Sequence, residues 1–324
     1  MRRTAAALAM SASLAAGGAM AADFPGRPVT AVVQMAPGGP TDLLVRVVQQ
    51  RMGDALGQSV IVENKAGASG LIGLRHVLNA PADGYTVGIA SATSHGVAVN
   101  IYEKLAYDPL KDFKPVGGIV IAPGVLIASK QITPDCKFET LLEKLKAEPG
   151  KYKFGSAGIG TLAHISGEAF LAEVGASMLH VPYRGLGPAM VDLYGGSVDV
   201  IFDNISSAKT HIESGKVCAL AVQSPERVAG YESIPTYKEL GYPQLNRPTW
   251  YGMIVREDTP DTVVAELNKA LNQALASEDV VRTYAGMGVA PIPDTPQAFG
   301  QRMQDEILYW QGVVEKIGFE KLKM

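Results

Sequence analysis

Two hydrophobic rhythms alternate along the chain, one of period two and one of period 3.6. Residues 29–34 form a β-branched run, followed by the tight loop Ala36-Pro37-Gly38-Gly39-Pro40. From about Thr41, Leu44, Val47, Val48 and Met52 fall on one face at helical spacing, and Gly57 ends that helix. The cycle repeats with a strand over 59–63, a helix over 67–78, and a strand over 85–90 after the turn Ala82-Asp83-Gly84. This order predicts an α/β fold with a parallel sheet wrapped by helices.

A second cycle follows, with helices over 138–147, 161–173 and 187–194 and strands over 152–156, 179–182, 198–202 and 217–222. Between the cycles, 116–128 is a long apolar stretch broken only by Pro123-Gly124, which predicts a strand leaving one domain for another. The chain ends in helices: Val263, Val264, Leu267, Leu271, Ala274 and Leu275 share one face, as do Phe299, Met303, Ile307, Trp310 and Val314. A length of 324 residues suits two such units. Ligands of open α/β sheets bind at strand carboxyl ends and helix N-termini, so a cleft between the units is the expected site.

The first residues change the picture of where the protein works. Arg2-Arg3, the apolar run over 5–16 and Ala19-Met20-Ala21 predict a secretory signal cleaved near Ala21, leaving the mature chain in the periplasm. That run is too short to span a bilayer, and no later stretch reaches the roughly 18 apolar residues needed. Charge then narrows the partners. With 29 basic and 32 acidic residues, net −3 and no Lys/Arg-dense face, nucleic acid is not an expected partner. Cys136 and Cys218 permit one disulfide in an oxidising compartment, but sequence alone leaves the pairing open. Neither has a second Cys or His at ligand spacing, so no metal is expected.

Catalytic signatures are missing. His-Glu-x-x-His, Gly-x-Ser-x-Gly and the phosphate loop ending in Gly-Lys do not occur. Gly158-Ile-Gly160-Thr-Leu-Ala163 has dinucleotide spacing, yet Met178-Leu-His-Val-Pro stands where the acidic ribose partner belongs, so no cofactor is expected. Three loops share another character: 37–42, 91–96 (which carries His95) and 155–161 follow strands and combine small residues with hydroxyls. Such loops expose backbone N–H groups, and those opening a helix add its dipole, so they suit a carboxylate or phosphate. Asp42 reads as a helix cap there, because a carboxylate would repel an anion.

Ordered motifs spanning nearly the whole mature chain strengthen this. They are Pro37-Gly-Gly-Pro-Thr-Asp42, Val62-Glu-Asn-Lys-Ala-Gly67, Asp83-Gly-Tyr-Thr86, Tyr107-Asp-Pro109, Phe154-Gly-Ser156, His180-Val-Pro-Tyr-Arg-Gly185, Gly195-Gly-Ser-Val-Asp199 and Trp250. With them the chain resembles the Bug family, the periplasmic substrate-binding proteins of tripartite tricarboxylate transporters. The resemblance implies a two-lobed clam-shell receptor of the periplasmic-binding-protein (type II-like) fold. One lobe is expected over 22–125 plus about 250–324, the other over about 126–249. It also implies two pincer loops on a carboxylate: Gly38, Gly39 and Thr41, and Ser156, Ala157, Gly158 and Thr161. The ligand's far end would meet Thr93, Ser94 and His95 and the turn Asp203-Asn204, with His164, Tyr183 and Arg184 as weaker candidates. Implied partners are two integral-membrane transporter subunits and a small carboxylate, held by a monomer.

Met35-Ala36 and His95-Gly96 depart from the family pattern beside the expected cleft. A histidine and a flexible methionine suit contact with a flat ring. An aromatic dicarboxylate such as terephthalate is therefore one expectation, and an aliphatic di- or tricarboxylate the other. A sensor subunit for a membrane kinase is the neighbouring binding role. The reading from another class is an exported small-ester hydrolase, with His164 as the base for Ser156.

Overall fold

The computed structural model describes residues 24–323; the secretion signal and its cleavage near Ala21 lie outside the described residues. The first unit holds β1 (Val29–Val33), α1 (Pro40–Leu56), β2 (Val60–Asn64), α2 (Leu71–Asn79) and β3 (Thr86–Ser91). A π-helical turn (Thr93–Val97) then runs into α3 (Ala98–Ile101), and β4 (Phe113–Ala122) leaves the unit. In the second are β5 (Gly124–Ser129), α4 (Phe138–Ala147), β6 (Lys153–Ser156), α5 (Leu162–Val174), β7 (Leu179–Pro182), α6 (Leu186–Gly195), β8 (Val200–Asn204), α7 (Ile205–Glu213) and β9 (Val217–Gln223). The chain returns through β10 (Thr249–Arg256), α8 (Asp261–Leu275), α9 (Glu278–Gly286), β11 (Ala290–Pro291) and α10 (Pro296–Lys316).

Two sheets result, ordered β11-β4-β10-β3-β1-β2 and β7-β6-β8-β5-β9. They are mixed, not purely parallel as the β-α-β order suggested. β1, β2 and β3 are parallel, but β10 is antiparallel to both β3 and β4. In the second sheet β5 is antiparallel to β8 and β9. The cause is the double crossing: β4 leaves toward the cleft in the sense of β3, and β10 re-enters from it. The apolar stretch 116–128 is likewise two strands in two sheets, turned at Pro123, whose carbonyl accepts the Ile205 N–H at 3.0 Å.

Strand alternation assigns the cores. Val29, Ala31 and Val33 pack with Leu44, Val48, Leu267 and Leu271 of α1 and α8, while Val32 packs with Leu74, Trp250 and Phe299 on the opposite face. The second sheet is covered in the same way on both faces. A smaller cluster of Val97, Ile101, Ile165, Trp310 and Val314 joins the units beside the crossing. Cys136 and Cys218 form a disulfide, tying the segment before α4 to β9. No described helix is long and apolar enough to cross a membrane.

Candidate functional site

A cavity of about 770 Å³ lies between the sheets, walled by loops of both. Its first wall begins where β1 stops. Met35, Gly38, Gly39 and Thr41 line it. Gly38 takes φ +78°, a left-handed conformation that glycine adopts without strain and that lets the chain enter α1. Asp42 does not cap α1; the N-cap is Gly39, with no side-chain cap bond. Instead the Asp42 carboxylate accepts the Gly38 N–H, Arg46 Nε and Asn64 Nδ2, each at 2.9 Å, and so fixes the loop. Burial alone would raise its pKa, but the bonds from Arg46, Gly38 and Asn64 hold it below the usual carboxylate value.

The second wall follows β6. Ala157, Gly158 and Thr161 line the cavity, while Ser156 is fully buried behind them. The Ser156 hydroxyl accepts the Gly158 N–H at 3.1 Å and lies 2.6 Å from His180 Nε2. Thr161 Oγ1 donates to the Gly158 carbonyl at 2.7 Å, closing the loop on itself. Behind it the rings of His164 and His180 stack at 3.8 Å, and Phe154 stacks on His180. Burial, then the neighbouring His164, pushes the His180 pKa down to about 4. His164 accepts the Gly160 N–H through Nδ1 and does not line the cavity. The hydrolase expectation therefore misplaced the base: His180, not His164, sits beside Ser156, and that serine is sealed from the cavity.

The third loop differs most from its expectation. Residues 93–97 wind as a π-helical turn, not an open polar turn, and all five are buried. Ser91 and Thr93 line the cavity, whereas Ser94 and His95 do not. The Ser94 hydroxyl lies 2.8 Å from His95 Nδ1, and the imidazole packs against Phe113 and Tyr107. Burial pushes the His95 pKa down to about 3. The helical winding also brings Gly96 against α10, where a Cβ would meet Glu306 Cγ at 2.7 Å.

The far wall comes from the end of β8. Asp203 Oδ1 accepts the Asn204 N–H at 2.7 Å and the Ser207 hydroxyl at 2.5 Å. Burial raises the Asp203 pKa to about 6, against the lowering effect of those two donors. Two bonds cross the cleft: Leu162 N–H to Thr93 Oγ1 at 3.2 Å, and Asn204 Nδ2 to the Tyr251 hydroxyl at 3.0 Å. Tyr183 and Arg184 stand on the wall at the start of α6. The first residues of α1, α5 and α6, and Asn204 at the head of α7, all line the cavity, so four positive dipole ends face one space. Among the described lining residues only Arg184 and Asp203 carry formal charge, with Tyr183, His211 and Tyr251 the titratable rings.

Sequence reading missed Tyr251, Thr249, Ser207 and Gln223, all on this wall. Once β10 is recognised, alternation beside Trp250 gives Tyr251: the indole faces one core and the phenol the opposite face. Nothing in the sequence pointed to Ser207 or Gln223.

Comparison with known proteins agrees with this geometry. The family model described as tripartite tricarboxylate transporter family receptor matches residues 44–319. The chain belongs to that family. It is 36% identical to Protein BugT of Bordetella pertussis over 301 residues, covering 93% of this chain and 92% of BugT. Two solved structures from Rhodopseudomonas palustris are similar throughout. Rpa4515 with adipate is 31% identical with TM-score 0.88, covering 93% of this chain and all (100%) of that one. MatC with bound malate is 33% identical with TM-score 0.85, covering 90% of this chain and 100% of that one. The fold is thus the two-lobed one of periplasmic binding proteins. The protein is a solute-binding receptor, not an enzyme.

Proposed function

We propose that this receptor captures a small organic carboxylate in the periplasm and hands it to a transporter of two integral-membrane subunits. Residues 22–125 with 250–324 act as one jaw and 126–249 as the other, in a monomer. The observation that supports this best is the meeting of four helix N-termini on one cavity. Partial positive charge at those ends favours an anion without a cluster of cationic side chains. The carboxylate sits between Gly38, Gly39 and Thr41 on one side and Ala157, Gly158 and Thr161 on the other. Ser156 acts through Gly158, as a positioning residue. Ligand bridging both walls stabilises the closed form by its greater affinity for that form.

Ring stacking on His95 loses its footing, since that side chain is buried away from the cavity. Terephthalate then rests on Met35 alone, and an aliphatic acid is the better-supported ligand. Adipate and malate, held by the two similar receptors, are the natural first probes. A thermal-shift screen over mono-, di- and tricarboxylates, aliphatic and aromatic, tests the reading. At least one acid should raise the melting temperature in a concentration-dependent way. A flat response across the panel would remove the carboxylate reading and leave the fold.

A further inference from the structure

Among the described residues of the cavity wall one side chain is a carboxylate. Asp203 is 7% exposed and lines the cavity. Both of its protein hydrogen bonds go to the same oxygen, Oδ1, from Asn204 N–H and Ser207 Oγ. Oδ2 has no hydrogen-bond partner among the described residues, and it is not one of the fully enclosed polar atoms that lack one. The carboxylate is therefore held rigidly by one oxygen and offers the other to whatever fills the cavity.

We infer that Asp203 selects the ligand's far group: the receptor takes organic acids that present a hydroxyl or ammonium donor to Oδ2, in preference to acids that end in a second carboxylate. This rests on the carboxylate-receptor reading above and deepens it. A ligand without a donor leaves a desolvated acceptor unpaired, and a second carboxylate adds like-charge repulsion beside a buried carboxylate. No cationic side chain hydrogen-bonds Asp203 to relieve that repulsion. Tyr251 faces it from β10, and burial raises the phenol's pKa, so the phenol stays neutral. α7 contributes the Ser207 hydroxyl, and β5 contributes Val125 opposite in register. Arg184, His211 and Tyr183, the other charged or titratable wall residues, make no hydrogen bond to Asp203, and the Tyr183 hydroxyl donates to Asp192 instead.

Calorimetric titration with pairs of acids in which a hydroxyl replaces the second carboxylate tests this: adipate against 6-hydroxyhexanoate, terephthalate against 4-hydroxybenzoate, and succinate against 4-hydroxybutanoate. At pH 7.5 the hydroxy acid should bind about tenfold or more tightly in the pairs whose size suits the cavity. With its pKa near 6, Asp203 gains a proton on going to pH 5. Oδ2 can then donate, and the preference should shrink or invert. Asp203→Asn keeps the Oδ1-type acceptor and should remove this pH dependence; the unmodified protein's own pH profile serves if that variant misfolds. Equal affinities within every pair, or tighter dicarboxylates at pH 7.5, overturn the inference while leaving the receptor reading intact. No binding by any of the six acids also overturns the inference, and a flat response across the whole carboxylate panel sinks the receptor reading with it.

Discussion

His95 and Asp203 occupy comparable places, His95 just beyond a strand that ends at the cleft and Asp203 at the end of another, yet they meet opposite fates. Asp203 is the penultimate residue of strand β8, just before α7, and keeps one oxygen toward the cavity. His95 follows β3 by a few residues, but the chain there is already coiled, and the ring is carried into the Tyr107–Phe113 pocket. Both are desolvated, and both shift toward their neutral form: the acid up to about 6, the imidazole down to about 3. The difference lies in what surrounds them. A polar residue after a strand is part of a binding wall only while the backbone leaves it at the mouth. One extra helical turn converts it to core.

That contrast can be broken by substitution. The largest expected effect is His95→Ala, which empties the space between Tyr107, Phe113 and the Gly96–α10 contact. It should cost about 3 kcal/mol in chemical denaturation. Ligand affinity in the folded fraction should be unchanged, because the ring lies off the cavity wall. A large affinity loss with little destabilisation would return His95 to the site.

Next comes pH. His95 and His180 have folded-state values below that of an unfolded histidine, so their neutral forms stabilise the fold fully above about 6.5. That contribution is lost as pH falls toward 4 and then 3. Asp203 has the opposite sign: its folded value is raised, so its contribution is present below about 4 and is lost as pH rises through 6. Melting temperature should therefore drop on acidification, less steeply in His95→Phe and more steeply in Asp203→Asn. At pH 7 Asp203→Asn should be neutral or gain about 1–2 kcal/mol, since a buried charge disappears. Identical pH slopes for all three proteins would remove the assigned roles.

The smallest effect sharpens the comparison within one turn. Thr93 lies two residues before His95 but faces the cavity and accepts the Leu162 N–H across it. Thr93→Val keeps the shape and removes the acceptor. It should weaken ligand binding about fivefold, equivalent to about 1 kcal/mol in a bridging hydrogen bond, with thermal stability nearly constant. Unaltered affinity would mean that this bond does not report closure.

Much of the fold was legible because hydrophobic periodicity is local. Strands β1, β6 and β9 and the helices carrying Leu44, Leu267 and Met303 follow directly from it. Sheet direction was not legible, since it depends on where β10 re-enters, after the 25 residues 224–248 that follow β9. The glycine-rich loops announced themselves through composition, and Gly38, Thr41, Gly158 and Thr161 stand together on the cavity. Ser94 and His95 misled because the residues Ser-His-Gly look like an open turn, and only packing against Trp310 and Tyr107 winds them inward. Ser156 misled differently: it belongs to the loop, but its hydroxyl is consumed in shaping it.

The central claim is that the space between the sheets holds the ligand and that the buried β3 turn does not. Calorimetric titration of the best acid from the thermal-shift panel into Gly187→Trp and His95→Phe tests it directly. A Cβ at Gly187, on the cavity wall, meets nothing within 4 Å, so the indole can enter the cavity without disturbing the fold. Binding should vanish in Gly187→Trp and persist at wild-type affinity in His95→Phe. Binding retained in Gly187→Trp, or lost in a fully folded His95→Phe, would contradict the account.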